Sequence, residues 1–119
     1  VEMARVMRPG ARVIITAPHI WGIHEEPHDY FRFTPYGLTY MAERAGLVVE
    51  RVRPLGGYWI TAGARLCYYL EYFARGPFRL PVAVFWALIQ SAAVWLDGVH
   101  RADGDAWNHL MVARKPEDG

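Results

Sequence analysis

The chain has 119 residues, of which 53% are hydrophobic and 21% charged, which suits one globular domain with a modest core and excludes a disordered chain. Thirteen basic against twelve acidic residues leave a net charge of +1, and the basic residues are scattered rather than striped, so there is no electrostatic footprint for nucleic acid. A lone cysteine, Cys67, excludes an internal disulfide and favours a reducing, cytoplasmic compartment.

Val1 to Met7 reads as a helix already in progress, without the pattern of a signal peptide, which makes Val1 a poor natural start. Arg8-Pro9-Gly10 closes it, because proline disfavours helical geometry before it and glycine supplies a turn. Arg12 to Ala17 is β-branched and almost wholly apolar, which predicts a parallel strand buried on both faces and ended by Pro18. His19 to Phe33 has no clean period and crowds aromatics, histidines and acids together. Loops of that length are usually functional or mobile.

Thr34-Pro35 marks a helix start, a hydroxyl N-cap followed by proline at the first helical position. Leu38, Met41, Ala42 and Ala45 then share one face, and Gly46 sits where the helix should stop. Leu47 to Arg53 predicts a strand, whose charges at Glu50, Arg51 and Arg53 suit a sheet edge. After a turn at Pro54 to Gly57, two helices are predicted over Trp59 to Ala74 and Val82 to His100, separated by Gly76-Pro77 and Pro81. The apolar run Val82 to Leu96 is shorter than the roughly 20 residues a bilayer span needs. It is expected to be a buried helix, with a membrane-surface or partner-packed helix as the alternative. Tyr58, Trp59, Tyr68, Tyr69, Tyr72 and Phe73 are expected to pack in the core, or else to form a hydrophobic lid or dimer face. Asp103-Gly104-Asp105 leads into a last strand, Trp107 to Ala113, and Lys115 to Gly119 is expected to fray. The order of elements is an α/β pattern.

Several of these pieces resemble class I S-adenosylmethionine-dependent methyltransferases. Glu2 to Arg12, with its arginine-valine and basic-proline-glycine ending, is similar to the helix before that family's fifth strand, and Val13 to Pro18 to the strand itself. His24-Glu25-Glu26-Pro27-His28-Asp29-Tyr30-Phe31-Arg32-Phe33-Thr34 is similar to the loop that follows in one subgroup, and Leu38 to Val52 to its helix, alanine-glycine, strand passage. The likeness covers Val1 to about Trp59 well and Trp107 to Pro116 loosely.

It implies a partial Rossmann-like sheet of three strands with packed helices. The strand order would be five-seven-six, with the last strand antiparallel. Residues 1–119 would be the C-terminal part of a methyltransferase domain, with 59–100 a helical insertion or lid. The cofactor implied for the complete protein is S-adenosylmethionine, but no cofactor-binding residue can be assigned here. No G-x-G-x-x-G occurs, and Gly56-Gly57 does not follow a buried strand. These 119 residues alone are therefore expected to be inactive. An inner strand parted from its neighbour would also leave an open edge, so self-association is expected.

The loop carries the candidate chemistry. His24-Glu25-Glu26-Pro27-His28 spells the zinc-protease motif H-E-x-x-H, but Pro27 falls inside it and proline breaks the helix that this motif needs. No metal ligand is assigned. An acceptor-site reading needs alignment of the acceptor and a base for its proton, and histidine is the natural base. His24 or His28 would be that base, with Asp29 or Glu25 orienting the ring; His19, Trp21, Tyr30 and Arg32 would hold the acceptor. The plainer reading is that these side chains pin the loop, Asp29 or Thr34 capping the next helix and Arg32 pairing with Glu25 or Glu26. His100, His109 and Cys67 read as structural.

The expected function is thus methyl transfer to an oxygen or nitrogen acceptor, small-molecule or lipid-like, with no nucleic-acid partner and with peripheral membrane contact open. The alternatives are a non-catalytic piece acting through an exposed sheet edge or its hydrophobic helices, and a metal-dependent hydrolase using the histidine loop.

Overall fold

A computed structural model describes residues 2–117; the helix start expected at Val1, and Asp118 and Gly119 of the expected frayed end, lie outside them. The chain is mixed helix and strand and divides into two compact units, residues 1–55 with 108–119, and residues 56–107.

The first unit is a three-stranded sheet with two helices: α1 (Glu2–Val6), β1 (Arg12–Pro18), α2 (Pro35–Arg44), β2 (Val48–Leu55) and β3 (Asn108–Arg114). The strand order is β1-β3-β2, and β3 runs antiparallel to both neighbours. The described residues hold no parallel pair of the kind a Rossmann-like sheet is built on. This corrects the expectation for β1. Its partner is the antiparallel β3, its other edge faces no described strand, and exposure alternates along it, leaving Ile14 68% exposed. A β-branched apolar run suits any extended, partly covered segment, so it could not report which faces are covered.

Ala4, Ala17, Leu38, Ala42, Leu47, Met111 and Ala113 form the core, with Val13, Ile15, Phe33 and Val52 packed against it. Capping places α2 as its sequence foretold. The Thr34 hydroxyl accepts from Gly37 N at 3.0 Å, Pro35 is the first helical residue, and Gly46 takes a positive φ of 77° just beyond the end. The strand that follows is a sheet edge, as its charges suggested, and carries a register shift between Val49 and Arg51. Arg12 and Arg114 lie directly opposite each other on β1 and β3, an unfavourable like-charge pair. Glu50, in the shifted segment, lies against both, with its carboxylate 2.8 Å from Arg12 Nε and 3.5 Å from Arg114 Nε.

Lys115 is not frayed. Its Nζ donates to Ala4 O and Met7 O, both at 2.9 Å, covering carbonyls at the end of α1, and its backbone pairs with Gly10 and Ala11.

The second unit is a helical pair, α3 (Tyr58–Leu70) and α4 (Arg79–Val99), joined through 3-10 turns at Glu71–Phe73 and Gly76–Phe78. Pro81 does not separate helices as expected. It lies in the first turn of α4, where an N–H has no intrahelical partner to lose. The contact between the helices is made of small residues: Gly63, Ala64 and Cys67 are buried on α3, and Ala93 on α4. Neither the aromatic set nor the long apolar run is buried as expected. Tyr68, Tyr69, Tyr72 and Phe73 are exposed, and so are Phe85, Leu88 and Trp95.

Candidate functional site

The loop of residues 19–33 leaves the carboxyl end of β1 and returns to it, with Phe33 N donating to Pro18 O at 2.9 Å. Its ends are therefore pinned together, as in a compact functional surface loop. The end of a strand is also where ligands bind in open α/β sheets.

Arg32 organises the interior of the loop. Its guanidinium grips the Asp29 carboxylate with two nitrogens, Nη2 at 2.7 Å from Oδ2 and Nη1 on Oδ1. Nη2 also donates to Gly22 O at 2.8 Å, and Nη1 to Phe31 O at 3.1 Å. A planar fork donor suits bidentate carboxylate binding, so one side chain ties three points of the loop together. The Arg32 guanidinium, with the His24 backbone N–H at 3.0 Å, holds the Asp29 carboxyl well below the usual carboxylate range. Arg32 thus pairs with Asp29, not with Glu25 or Glu26, and the cap of α2 belongs to Thr34, not to Asp29.

His24 lies beside this pair. Its Nδ1 is 3.2 Å from Gly22 O and 3.4 Å from both Asp29 Oδ2 and Arg32 Nη2, two acceptors and one donor, so this nitrogen is engaged in either tautomer. The other ring nitrogen, Nε2, belongs to a side chain 46% exposed. His28 is turned elsewhere: its Nδ1 contacts the Tyr30 hydroxyl at 3.2 Å, and both side chains are exposed. A turn closed by His28 N on Glu25 O at 2.9 Å occupies the middle of the H-E-x-x-H letters, so the two histidines do not share a helix face. Among the described residues no three metal-ligating side chains come together.

Of the acceptor-side residues, Trp21 is half-buried and Tyr30 lies on the surface, whereas His19 meets a partner that sequence reasoning had set aside. His109, opposite Ala17 on the central strand, is 3% exposed, and its ring packs edge-on against that of His19 at 5.0 Å between centroids. Burial first, and the neighbouring His19 second, push the His109 pKa down, against a hydrogen bond with the Phe33 backbone. His109 thus sits at the foot of the loop, with its Nδ1 buried without a hydrogen-bond partner. The signal for it was the strand register, which brings residue 109 to the end of β1 only once β3 is set beside β1.

The glycine pair Gly56-Gly57 does not fit a nucleotide or sulfonium cradle. Gly57 N already donates to Asp97 Oδ2 at 3.1 Å, and a Cβ there would lie 2.5 Å from Asp97 Oδ1. The space a ligand would need is filled by a side chain of the same unit. Comparison with protein-family models, with curated proteins and with solved structures found no match to the chain.

Proposed function

We propose that these residues form the acceptor side of an S-adenosylmethionine-dependent methyltransferase, acting on an oxygen or nitrogen acceptor. The observation that carries the reading is the loop at the carboxyl end of β1, in which Arg32 and Asp29 hold one ring nitrogen of a half-exposed His24. A histidine oriented by a carboxylate is the arrangement general-base chemistry uses. On this reading His24 Nε2 takes the proton that the acceptor loses. Asp29 and Arg32 act through His24 rather than on the acceptor, and His28, Tyr30, His19 and Trp21 border the acceptor. A central last strand, antiparallel to both neighbours, also favours this reading over a metal-dependent hydrolase. Gly56-Gly57 does not fit the cofactor, and on this reading S-adenosylmethionine is held by residues outside this chain.

Calorimetric titration of S-adenosylmethionine tests the division of labour. The 119 residues are expected to give no binding heat, whereas a longer protein that adds a glycine-rich strand-turn-helix gives saturable binding. In that longer protein His24→Gln should lower kcat by about 10²-fold or more, the usual contribution of a general base. Binding by the short chain, or full activity of the glutamine variant, refutes the reading.

A further inference from the structure

The helical pair of residues 56–107 has its polarity reversed relative to helices packed in water. A water-facing helix buries an apolar stripe and shows polar residues outside. Here polar side chains turn into the pair, where Asp97 Oδ1 and Trp86 Nε1 are buried without a hydrogen-bond partner. The Thr61 hydroxyl, with one hydrogen to donate, lies 2.9 Å from Gly57 O and 3.0 Å from Asp105 O. Asp97 is buried on the Gly57 N–H, and Gln90 Nε2 reaches Cys67 Sγ at 3.5 Å. The helix contact uses residues without bulk, and a Cβ on Gly63 would come within 2.8 Å of Ala93 Cβ. The bulky apolar side chains face outward, with Phe85 63%, Leu88 62% and Trp95 67% exposed. Residues 76–99 form a helical stretch long and apolar enough to cross a membrane, with mean hydropathy 1.6 and only 11% of its most apolar window buried. Small residues at the contact, polar groups turned inward and apolar groups turned outward are how helices pack in lipid.

Charge and geometry identify which lipid environment fits. Over residues 56–107 four arginines (Arg65, Arg75, Arg79 and Arg101) meet four acids (Glu71, the buried Asp97, Asp103 and Asp105), and Arg101 is paired with Asp103 at the far end, so the local excess of positive charge is Arg75 and Arg79 against Glu71 at the turn. Arg75 and Arg79 are exposed at the turn between the helices, beside exposed Tyr72, Phe73 and Phe78. Arginine and aromatic side chains gather at the headgroup level of a bilayer, and excess positive charge favours anionic lipid. α3 is too short to cross beside α4. α3 has 13 residues, about 20 Å, against a hydrocarbon core of about 30 Å. Tyr58 N donates to Ala102 O at 3.0 Å, so both ends of the pair meet on one side, and end-on insertion would drive the turn arginines into hydrocarbon.

We propose that α3 and α4 dock in the plane of an anionic lipid leaflet, with their outward apolar side chains in the acyl boundary and Arg75 and Arg79 among the headgroups. The inference stands on the polarity of this unit and does not depend on methyl transfer.

Flotation of the chain with vesicles of phosphatidylcholine, alone or mixed with phosphatidylglycerol, tests it. The chain is expected to float with the mixed vesicles, to float less with phosphatidylcholine alone, and to lose the difference at high salt. Because Phe85, Leu88 and Trp95 are exposed, F85S/L88S/W95S should keep its circular dichroism and lose about tenfold or more in partition coefficient. R75Q/R79Q, which leaves the apolar faces intact, should abolish the preference for anionic vesicles. The proposal is overturned if the native chain does not float, if the serine variant keeps its fold and floats as well as the native chain, or if the arginine variant keeps the preference. A stable dimer that ignores vesicles would also overturn it, and would assign the apolar faces to a second copy.

Discussion

Gly63 of α3 packs against Ala93 of α4, and a methyl group is enough to test the contact. Gly63→Ala places a Cβ 2.8 Å from Ala93 Cβ and 3.5 Å from Ile89 Cγ2. Carbon atoms sit comfortably at about 3.5–4.0 Å, so α3 and α4 would have to part by about 1 Å. Overpacking of this kind costs about 1–3 kcal/mol. Alanine is a better helix former than glycine by about 1 kcal/mol, which offsets part of that cost. The single variant is therefore expected to be destabilised by about 0–2 kcal/mol, too small a range to decide the matter alone. A double-mutant cycle isolates the clash. Ala93→Gly removes the opposing methyl, and in that background Gly63→Ala should be stabilising by about 1 kcal/mol, its helix-propensity gain alone. The two backgrounds then differ by about 1–3 kcal/mol, the clash itself. Urea unfolding followed by far-UV circular dichroism, and separately by tryptophan fluorescence, measures it and checks that one transition is being read. Additivity within about 0.5 kcal/mol would mean that the helices do not meet at these residues, and the account of their packing would fail.

Two predictions concern acid, and they fall in different windows. The Asp29 carboxyl is held below its ordinary value near 3.8, mainly by Arg32, so the stability it adds is full above that pH and is lost as pH falls from there toward its folded value. Asp29→Asn should remove this acid-sensitive step and speed hydrogen exchange at the His24 amide, which donates to Asp29; unchanged exchange would mean that the pair does not pin the loop. His109 is lowered from 6.5 by burial and by His19, so folding excludes a proton that the unfolded chain binds. Its contribution is full above pH 6.5 and is lost as pH falls from there toward its folded value. Melting temperature should therefore decline on acidification from about pH 7 to 5, and less steeply in His109→Phe; equal slopes would remove His109 as the cause.

What could be read from the sequence is what neighbouring residues decide among themselves. Thr34-Pro35 starts α2 because a hydroxyl and a preset φ act within one turn, and Gly46 ends it because a positive φ suits glycine. The strands, the long loop and the charged sheet edge were legible for the same reason. Burial was not legible, because it depends on what lies opposite. The same apolar letters that suggested a strand covered on both faces leave Ile14 exposed, and the same aromatics that suggested a core line the outside of a helical pair. Partner choice was equally out of reach. Arg32 selects Asp29 over Glu25 and Glu26 because the fold of the loop presents both carboxylate oxygens to its fork. His109 joins His19 because the last strand inserts next to the first, a pairing across ninety positions of chain that no local spacing encodes. Local conformational energies act over a few residues and are written in order along the chain, whereas desolvation and charge pairing depend on distances that only the folded chain sets.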